Sequence, residues 1–195
     1  MFVELGTVQI ALPDRCRLAL ISDTHIFPGG QRTLPPQVLD LFDRAGVDRI
    51  VHGGDVACRA VVDDLAAIAP VLAVRGNNDH GEFGRDLPHM IELTTNERLI
   101  RVIHGHGGRS ARAVATEMST GAACVIYGHS HIPKVERSGD ALLVNPGSPC
   151  DRRWHPHFGV GFLEIGVDFI RPELILFSDP QDLAGVNPKW QSFQK

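Results

Sequence analysis

The 195-residue sequence predicts an α/β fold, a two-sheet β-sandwich flanked by helices in α/β/β/α layers. Residues 16–79 alternate short apolar runs with two amphipathic helical segments, which indicates parallel strands joined by right-handed crossovers. Residues 90–177 contain two hairpin patterns, one more helix and two more strands. An apolar content of 43% and a charged content of 22% are typical of a globular domain.

Residues 1–15 alternate between apolar and polar or small side chains, as a half-buried strand does. This pattern predicts an added N-terminal strand at a sheet edge, ended by Pro13 and Asp14. The apolar positions are Val3, Leu5, Val8, Ile10 and Leu12.

Two helices separate the three strands predicted within residues 16–79. The first begins at Pro35-Pro36, where proline suits a first helical turn, and ends at Gly46. The second runs from about Arg59 to Ala69, and Pro70 ends it.

The second half predicts antiparallel pairs as well as a helix, which is typical of a second sheet. The predicted elements are a hairpin over 90–103, a helix over 109–119, a hairpin over 135–144, and strands near 159–165 and 173–177.

We expect a single domain over residues 1–195, because no linker, repeat or low-complexity segment interrupts the pattern. Residues 179–195 are rich in Pro, Gln, Asn and Gly, and we expect them to form a loosely attached tail. This tail and the added N-terminal strand could serve contacts in a homo-oligomer or access of a substrate.

Composition excludes some classes of function. A net charge of −4 and the absence of a basic stripe argue against a nucleic-acid binder. No apolar run approaches the roughly 18 residues of a membrane span. The four cysteines show no metal-site or redox spacing, and no secretory leader pattern is present, so we expect reduced thiols in a cytoplasmic protein.

Five apolar runs each end in a residue type that binds metal ions. We expect these side chains to converge, because ligands of open α/β sheets bind at the carboxyl ends of the strands. Two carboxylates, four imidazoles and one amide are enough for two divalent metal ions. The seven predicted ligands are Asp23, His25, Asp55, Asn77, His104, His129 and His131.

Each cluster alone is a weak signal, since Asp-x-His, Gly-Asp and Gly-Asn also occur in ordinary turns. The pair His129 and His131 is a moderate signal. The pairs 23/25 and 129/131 would reach one metal if their segments are extended, because alternate residues of a strand point the same way. The ordered set at five strand ends is what favours a metal site.

In this order, D-x-H, G-D, G-N-x-D, H-G-H and G-H-x-H resemble the signature of the calcineurin-like metallophosphoesterases. The short chain and Asn145-Pro146-Gly147-Ser148 resemble the compact YfcE-type phosphodiesterases of that family. The resemblance covers about residues 16–150 and implies a two-sheet sandwich, in agreement with the fold predicted above.

The resemblance implies that Asp23, His25 and His131 hold one metal ion. It also implies that Asn77, His104 and His129 hold the other, and that Asp55 bridges the two. A bridging hydroxide would then attack the phosphorus of a small phosphodiester in line. The candidate catalytic residues are Asp55, Asn77 and His104. Mn²⁺ is the expected metal, with Ni²⁺, Co²⁺, Fe²⁺ or Zn²⁺ as alternatives.

Asn78 stands where many members of the superfamily have a proton-donating histidine, which predicts a bias toward good leaving groups. His80 or His106 could replace that histidine, or could be ordinary surface histidines. Arg109 could bind a substrate phosphate or could point to solvent.

Three alternatives remain open from the sequence. The same site could prefer phosphomonoesters or pyrophosphate-type bonds. A scaffold or binding protein with weak catalysis is the second alternative, although all seven ligand positions are filled. A purely structural metal site is the third, and it fits least because such sites tend to be closed and tetrahedral.

Overall fold

The computed structural model describes residues 6–190 of the chain. Its strands are β1 (Thr7–Ala11), β2 (Cys16–Ile21), β3 (Arg49–His52), β4 (Val71–Ala73), β5 (Met90–Thr95), β6 (Arg98–Ile103), β7 (Cys124–Tyr127), β8 (Lys134–Ser138), β9 (Ala141–Asn145), β10 (Phe158–Ile165) and β11 (Ile170–Phe177). Its helices are α1 (Pro36–Ala45), α2 (Arg59–Ala66), α3 (Gly81–Asp86), α4 (Ala111–Glu117) and a 3-10 turn at Pro180–Leu183.

Two mixed sheets form the centre of the molecule. The first sheet has the order β11-β10-β2-β3-β4, and its strands β2, β3 and β4 are parallel. The second sheet has the order β1-β5-β6-β7-β9-β8, in which β6, β7 and β9 are parallel. Parallel strands end on the same side, so the carboxyl ends of β2, β3 and β4 share one edge of the first sheet.

Three apolar clusters hold the layers together. The largest covers the outer face of the first sheet, where α1 and α2 pack, and includes Phe42 and Phe162 at an edge-to-face angle of 82°. A second fills the space between the sheets, with Leu20, Val102 and Ile126 fully buried. A third lies between the second sheet and α4. The predicted layered α/β fold is therefore confirmed.

The N-terminal strand lies where the alternation predicts it, since β1 pairs in parallel with β5 at the edge of the second sheet. Val3 and Leu5 of that pattern lie outside the described residues. The helix predicted over 59–69 ends earlier, at Ala66. No sequence pattern predicts α3, because its six residues include two glycines and no apolar periodicity.

The C-terminal segment differs from our expectation of a loosely attached tail. Leu183 is buried in the cluster beside α1, and Arg44 donates to its carbonyl at 3.1 Å. The Trp190 ring meets Phe162 edge to face at 5.3 Å, and its Nε1 donates to the carbonyl of Ala45 at 2.9 Å. The expectation is therefore wrong for residues 180–190, while 191–195 lie outside the described residues.

None of the helices within residues 6–190 has both the length and the apolar composition needed to cross a membrane. That the whole chain forms one domain stays a prediction.

Trp190→Ala should lower the free energy of unfolding by about 2–4 kcal/mol, because it removes a large aromatic side chain packed on the core together with one hydrogen bond. Urea denaturation measures this change. Lys189→Ala, which truncates an exposed neighbour, is the matched control and should change stability by less than about 0.5 kcal/mol. Equal stability of the two variants would show that the segment is attached only weakly.

Candidate metal centre

The seven predicted ligand residues lie together where five strands end, β2, β3 and β4 of the first sheet and β6 and β7 of the second. Ligand atoms of Asp23, His25 and His131 lie within 4.8 Å of one another, and so do those of Asp55, His104 and His129. Asn77 Oδ1 joins the second group, 3.1 Å from His104 Nε2. The seven side chains therefore lie close together, as the strand-end argument predicts, while their roles as ligands stay a prediction.

The carboxylate of Asp55 lies between the two groups. Its Oδ2 is 3.4 Å from His25 Nε2 in the first group and 3.3 Å from His104 Nε2 in the second. Asn78 fixes this carboxylate, because its backbone N–H donates to Oδ1 and its side-chain amide to Oδ2, both at 2.7 Å. Asp55 thus has the position that a bridging ligand needs.

The rings of His104 and His131 present lone pairs to the centre. Nδ1 of His104 lies 2.8 Å from the carbonyl of Gly53, and Nδ1 of His131 contacts the carbonyl of Asp151. A carbonyl only accepts, so each Nδ1 carries the hydrogen and each Nε2 of the neutral ring is bare. In the neutral ring, His104 Nε2 then faces the oxygens of Asn77 and Asp55 with a lone pair, and a cation between them would satisfy all three.

The electrostatics lead to the same conclusion. Burial opposes ionisation of Asp55, but the hydrogen bond and charge of His104 and the bonds from Asn78 hold its pKa well below the ordinary range. Burial also opposes the charged form of His104, yet Asp55 and Asp23 raise its pKa. Both shifts show that positive charge is favoured beside the Asp55 carboxylate. The donor set therefore fits divalent metal ions, which would supply positive charge there.

Asp23 links the two sheets. Both of its carboxylate oxygens lie 3.0 Å from the backbone N–H of His129, and the hydroxyl of Ser22 donates to Oδ2 at 2.8 Å. Burial is the main cause that raises the pKa of Asp23 to about 7. A metal ion beside this buried carboxylate would favour its ionised form.

The backbone at the ligands is not extended, in contrast to our expectation for the pairs 23/25 and 129/131. Five of the seven ligands have left-handed φ angles between 48° and 67°, a region that non-glycine residues seldom adopt. They are Asp23, His25, Asp55, His129 and His131. The pairs still reach one group each, but through tight left-handed turns rather than through strand alternation.

Glycines precede several of the predicted ligands, because other side chains of the centre approach the glycine backbone closely. A Cβ at Gly76 would lie 2.1 Å from Asp55 Oδ1, and a Cβ at Gly128 would lie 2.0 Å from Ser22 Oγ and 2.9 Å from Asp23 Oδ2. The Gly-Asn and Gly-His pairs of the sequence thus reflect the packing of one ligand loop on another.

Behind the ligands, His52 is fully buried and neutral, since burial lowers its pKa to about 3. Its Nδ1 accepts from the N–H of Gly54 at 3.2 Å, and its Nε2 lies 3.1 Å from the hydroxyl of Thr24. That hydroxyl lies 3.2 Å from the carbonyl of Val56, to which it donates. His52 therefore ties the loop after β2 to the loop after β3.

Asp79 has a role that the sequence analysis did not assign. Its carboxylate is fully buried and accepts the backbone N–H groups of Asp55 at 3.0 Å, Gly76 at 2.7 Å and Ala57 at 2.7 Å. One side chain thus joins the loops after β3 and β4. The signal was present as the last residue of the G-N-x-D motif.

The motif at residues 145–148 supports the loop of His129 and His131. The amide of Asn145 donates to the carbonyl of Gly128 at 2.9 Å and contacts the hydroxyl of Ser130 at 3.1 Å. The hydroxyl of Ser148 donates to the carbonyl of Asp23 at 2.7 Å. These two side chains explain why the motif belongs to the site although it holds no ligand.

The other candidate residues of the sequence, His106, His80 and Arg109, differ in their positions relative to the centre. The ring of His106 lies 5.4 Å from that of His104 and 6.4 Å from that of His129, beside the centre, whereas His80 is exposed at the start of α3. Arg109 forms an ion pair with Glu117 on the solvent side of α4.

Comparison with known proteins agrees with this geometry. A family model described as the calcineurin-like phosphoesterase superfamily domain matches residues 16–168. A probable metallophosphoesterase from Methanocaldococcus jannaschii is 39% identical over 138 residues, which cover 68% of this chain and 67% of that protein. The phosphodiesterase YfcE from Escherichia coli is 30% identical over 152 residues, with 68% of this chain and 78% of that protein covered.

Solved structures show the same fold. Vps29 from Chaetomium thermophilum superposes with a TM-score of 0.67 at 19% identity, covering 83% of this chain and 98% of that one. A predicted phosphoesterase from Streptococcus pneumoniae superposes with a TM-score of 0.60 at 23% identity, covering 83% and 90%. The family model and the sequence relatives confirm the resemblance seen in the motifs, and the chain belongs to the calcineurin-like phosphoesterase superfamily.

Proposed function

We propose that this protein is a metal-dependent phosphodiesterase that uses two divalent metal ions, with Mn²⁺ as the first choice. The observation that carries the proposal is the position of the Asp55 carboxylate between two groups of ligand atoms. Two cations there would act as Lewis acids toward the phosphoryl oxygens and would acidify a water molecule that attacks phosphorus. Relatives named as phosphodiesterases support the choice of diesters.

We assign the first metal ion to Asp23, His25 and His131, and the second to Asn77, His104 and His129, with Asp55 shared. The first group is almost fully buried, whereas His129 is partly exposed and Asn77 exposed. This difference leaves the second group open to a substrate. Asp55, Asn77 and His104 are accordingly the residues that we place nearest the reacting phosphorus.

Asn78 has a positioning role in this proposal. Both of its donors are committed to Asp55, so it holds the shared carboxylate in place and has no proton to transfer. His106 is the described histidine that lies beside the centre without belonging to either group, and it could protonate a leaving oxygen.

The four cysteines form no disulfide, which supports a reducing compartment such as the cytoplasm.

Asp55→Asn should reduce hydrolysis of bis-p-nitrophenyl phosphate by at least about 100-fold, because the amide cannot share negative charge between two cations. The assay uses metal-stripped protein titrated with Mn²⁺. Asp140→Asn, at an exposed turn, is the matched control and should retain wild-type rates. Full activity of Asp55→Asn would refute the bridging role.

The same assay separates the alternatives. Faster turnover of p-nitrophenyl phosphate than of the diester would assign the site to monoesters. Stoichiometric metal binding without turnover of either ester by the wild type would favour the scaffold function.

Mn²⁺ should bind with a stoichiometry of two per chain and should stabilise the fold. At a free concentration about 100 times the Kd of one site, the free energy of unfolding should rise by about 2.7 kcal/mol. Equilibrium dialysis gives the stoichiometry and differential scanning fluorimetry the stabilisation. A single bound ion, or no thermal shift, would contradict a two-metal site.

Asp79→Asn should lower the free energy of unfolding by about 2–3 kcal/mol, because one amide cannot accept the three N–H groups that the carboxylate accepts. It should also weaken Mn²⁺ binding, since two ligand loops lose their common anchor. Asp64→Asn on the exposed face of α2 is the control. Unchanged stability and metal affinity would show that Asp79 is not needed to join the loops.

A further inference from the structure

The loop of residues 151–157 is attached directly to the candidate metal centre. Its first residue, Asp151, accepts a hydrogen bond from the ring of His131 through its carbonyl. The Asp151 carboxylate pairs with Arg32 at 3.1 Å, and Arg32 also donates to the carbonyl of His25 at 3.3 Å. The base of the loop is thus held by the segments that carry two of the predicted ligands.

Two adjacent arginines of this loop have different surroundings. Arg152 is committed within the loop, where it donates to the carbonyls of His155 at 2.8 Å and Pro156 at 3.2 Å and lies 5.4 Å from the ring centroid of Phe158. Arg153 is exposed and forms no hydrogen bond or ion pair with any residue between 6 and 190. Its guanidinium is therefore free to bind a ligand.

Arg153 is two residues from Asp151, whose carbonyl accepts from the ring of His131. The chain therefore holds this unpaired cation in a loop that is fixed to one of the predicted ligands.

Arg153 also has a left-handed backbone, with φ of 49°. This region is strained for a residue with a long side chain, and glycine or asparagine would suit it better. Strain of this kind persists where the surrounding structure imposes it and is concentrated at functional sites.

The next residue, Trp154, is 97% exposed, the highest value among the exposed large apolar side chains of the described residues. It lines a cavity of about 290 Å³ together with Arg153, Ile132 and Ser130. Ser130 and Ile132 are chain neighbours of the predicted ligands His129 and His131, so this cavity lies against the segment that carries two of them. Ile132 is itself 50% exposed.

Packing does not explain this indole, because almost none of its surface is buried. A flat aromatic ring beside an unpaired arginine is the combination that binds a phosphate attached to a planar group. The guanidinium binds phosphate oxygens in a bidentate manner, and the indole stacks on the planar group.

We infer that Arg153 and Trp154 form the substrate subsite of the metal centre and select small phosphodiesters that carry a planar aromatic group, such as a nucleobase. This inference rests on the proposed function. One free arginine suits one phosphate, and the net charge of −4 disfavours a long polyanion. Arg153 would bind a non-bridging oxygen, while Trp154 and Ile132 would enclose the aromatic group.

The first test measures binding without turnover. Isothermal titration calorimetry of the Mn²⁺-loaded protein compares adenosine monophosphate, phenyl phosphate and ribose 5-phosphate. Adenosine monophosphate should bind roughly 10-fold more tightly than ribose 5-phosphate, and Trp154→Ala should remove this difference. If phenyl phosphate binds as tightly as adenosine monophosphate, the subsite selects any aryl group; if it binds more weakly, the subsite selects a nucleobase.

Val167→Ala is the matched control for this measurement. It truncates an exposed apolar side chain, 53% accessible, on the turn between β10 and β11, and it should keep the wild-type preference. Equal binding of adenosine monophosphate and ribose 5-phosphate by the wild type, or the same loss in both variants, would overturn the inference.

The second test measures hydrolysis of two diesters with the same non-aromatic leaving group, the 2,2,2-trifluoroethyl esters of adenosine 5′-monophosphate and of ribose 5-phosphate. Trp154→Ala should lower kcat/KM for the adenosine ester roughly 10-fold more than for the ribose ester. Turnover of both esters without this difference would overturn the subsite and leave the proposed hydrolysis standing. No turnover by the wild type, with binding still dependent on Trp154, would refute the hydrolysis and retain the subsite.

Arg153→Gly separates a binding role from a structural one. It should raise KM for both esters roughly 10-fold through loss of the phosphate contact, whereas thermal stability should stay equal or rise because glycine accepts the left-handed backbone. A lower melting temperature with unchanged KM would assign Arg153 to the loop structure alone.

Sedimentation tests whether a protein partner occupies this surface instead. A dimer that Trp154→Ala dissociates would assign the same surface to a second copy of the chain.

Discussion

The Asp55 carboxylate lies 3.4 Å from a ring nitrogen of His25 and 3.3 Å from one of His104, so it joins the two groups of predicted ligands. The hydrogen of the neutral His104 ring is directed to the carbonyl of Gly53, and its other nitrogen therefore faces Asp55 with a lone pair. A lone pair and a carboxylate at this distance repel each other, and positive charge between them relieves the repulsion. Two divalent cations would relieve it for both groups at once, and the shared Asp55 carboxylate would screen the cations from each other.

Much of the surrounding structure holds the predicted ligands close together. Five ligands accept a left-handed backbone that would otherwise be disfavoured, and Gly76 and Gly128 give up a side chain so that Asp55 and Asp23 can approach. Such strain persists only if the neighbouring structure fixes it. Asp79, His52 and Asn145 do so by joining ligand loops that come from different strands. We therefore expect the stability of the metal-free protein to depend on these buried polar contacts as well as on its apolar core.

The sequence was sufficient for the layers and for the set of side chains that lie together, because both depend on local signals. Apolar periodicity marks the strands, and parallel strands in one sheet end at the same edge, so Asp55 and Asn77 had to be neighbours. The conformation of the ligand loops could not be obtained in this way, since the left-handed turn at His25 is set by contacts with the loop of Asp55. The attachment of the C-terminal segment was missed for a related reason. Trp190 stands in a polar stretch, and only the fold brings it to Phe162.

The difference between local sequence signals and contacts made only in the folded chain also applies to the residues that would bind the substrate. The residues that the proposed function places at the phosphorus follow strand ends and can be read from motifs, whereas Arg153 and Trp154 stand in a loop with no motif. The sequence left open whether Arg109, which follows the His-Gly-His cluster, binds a phosphate or points to solvent, and its exposed ion pair with Glu117 favours the second. What singles out Arg153 is the absence of a hydrogen-bond or ion-pair partner within residues 6–190 and its place beside Trp154 in a loop fixed to His131, and both are properties of the folded chain. Loops can change sequence without disturbing the sheets that hold the ligands. A family can therefore keep one metal centre and vary its substrates through such a loop, and in this chain residues 151–157 are the part in which that specificity would reside.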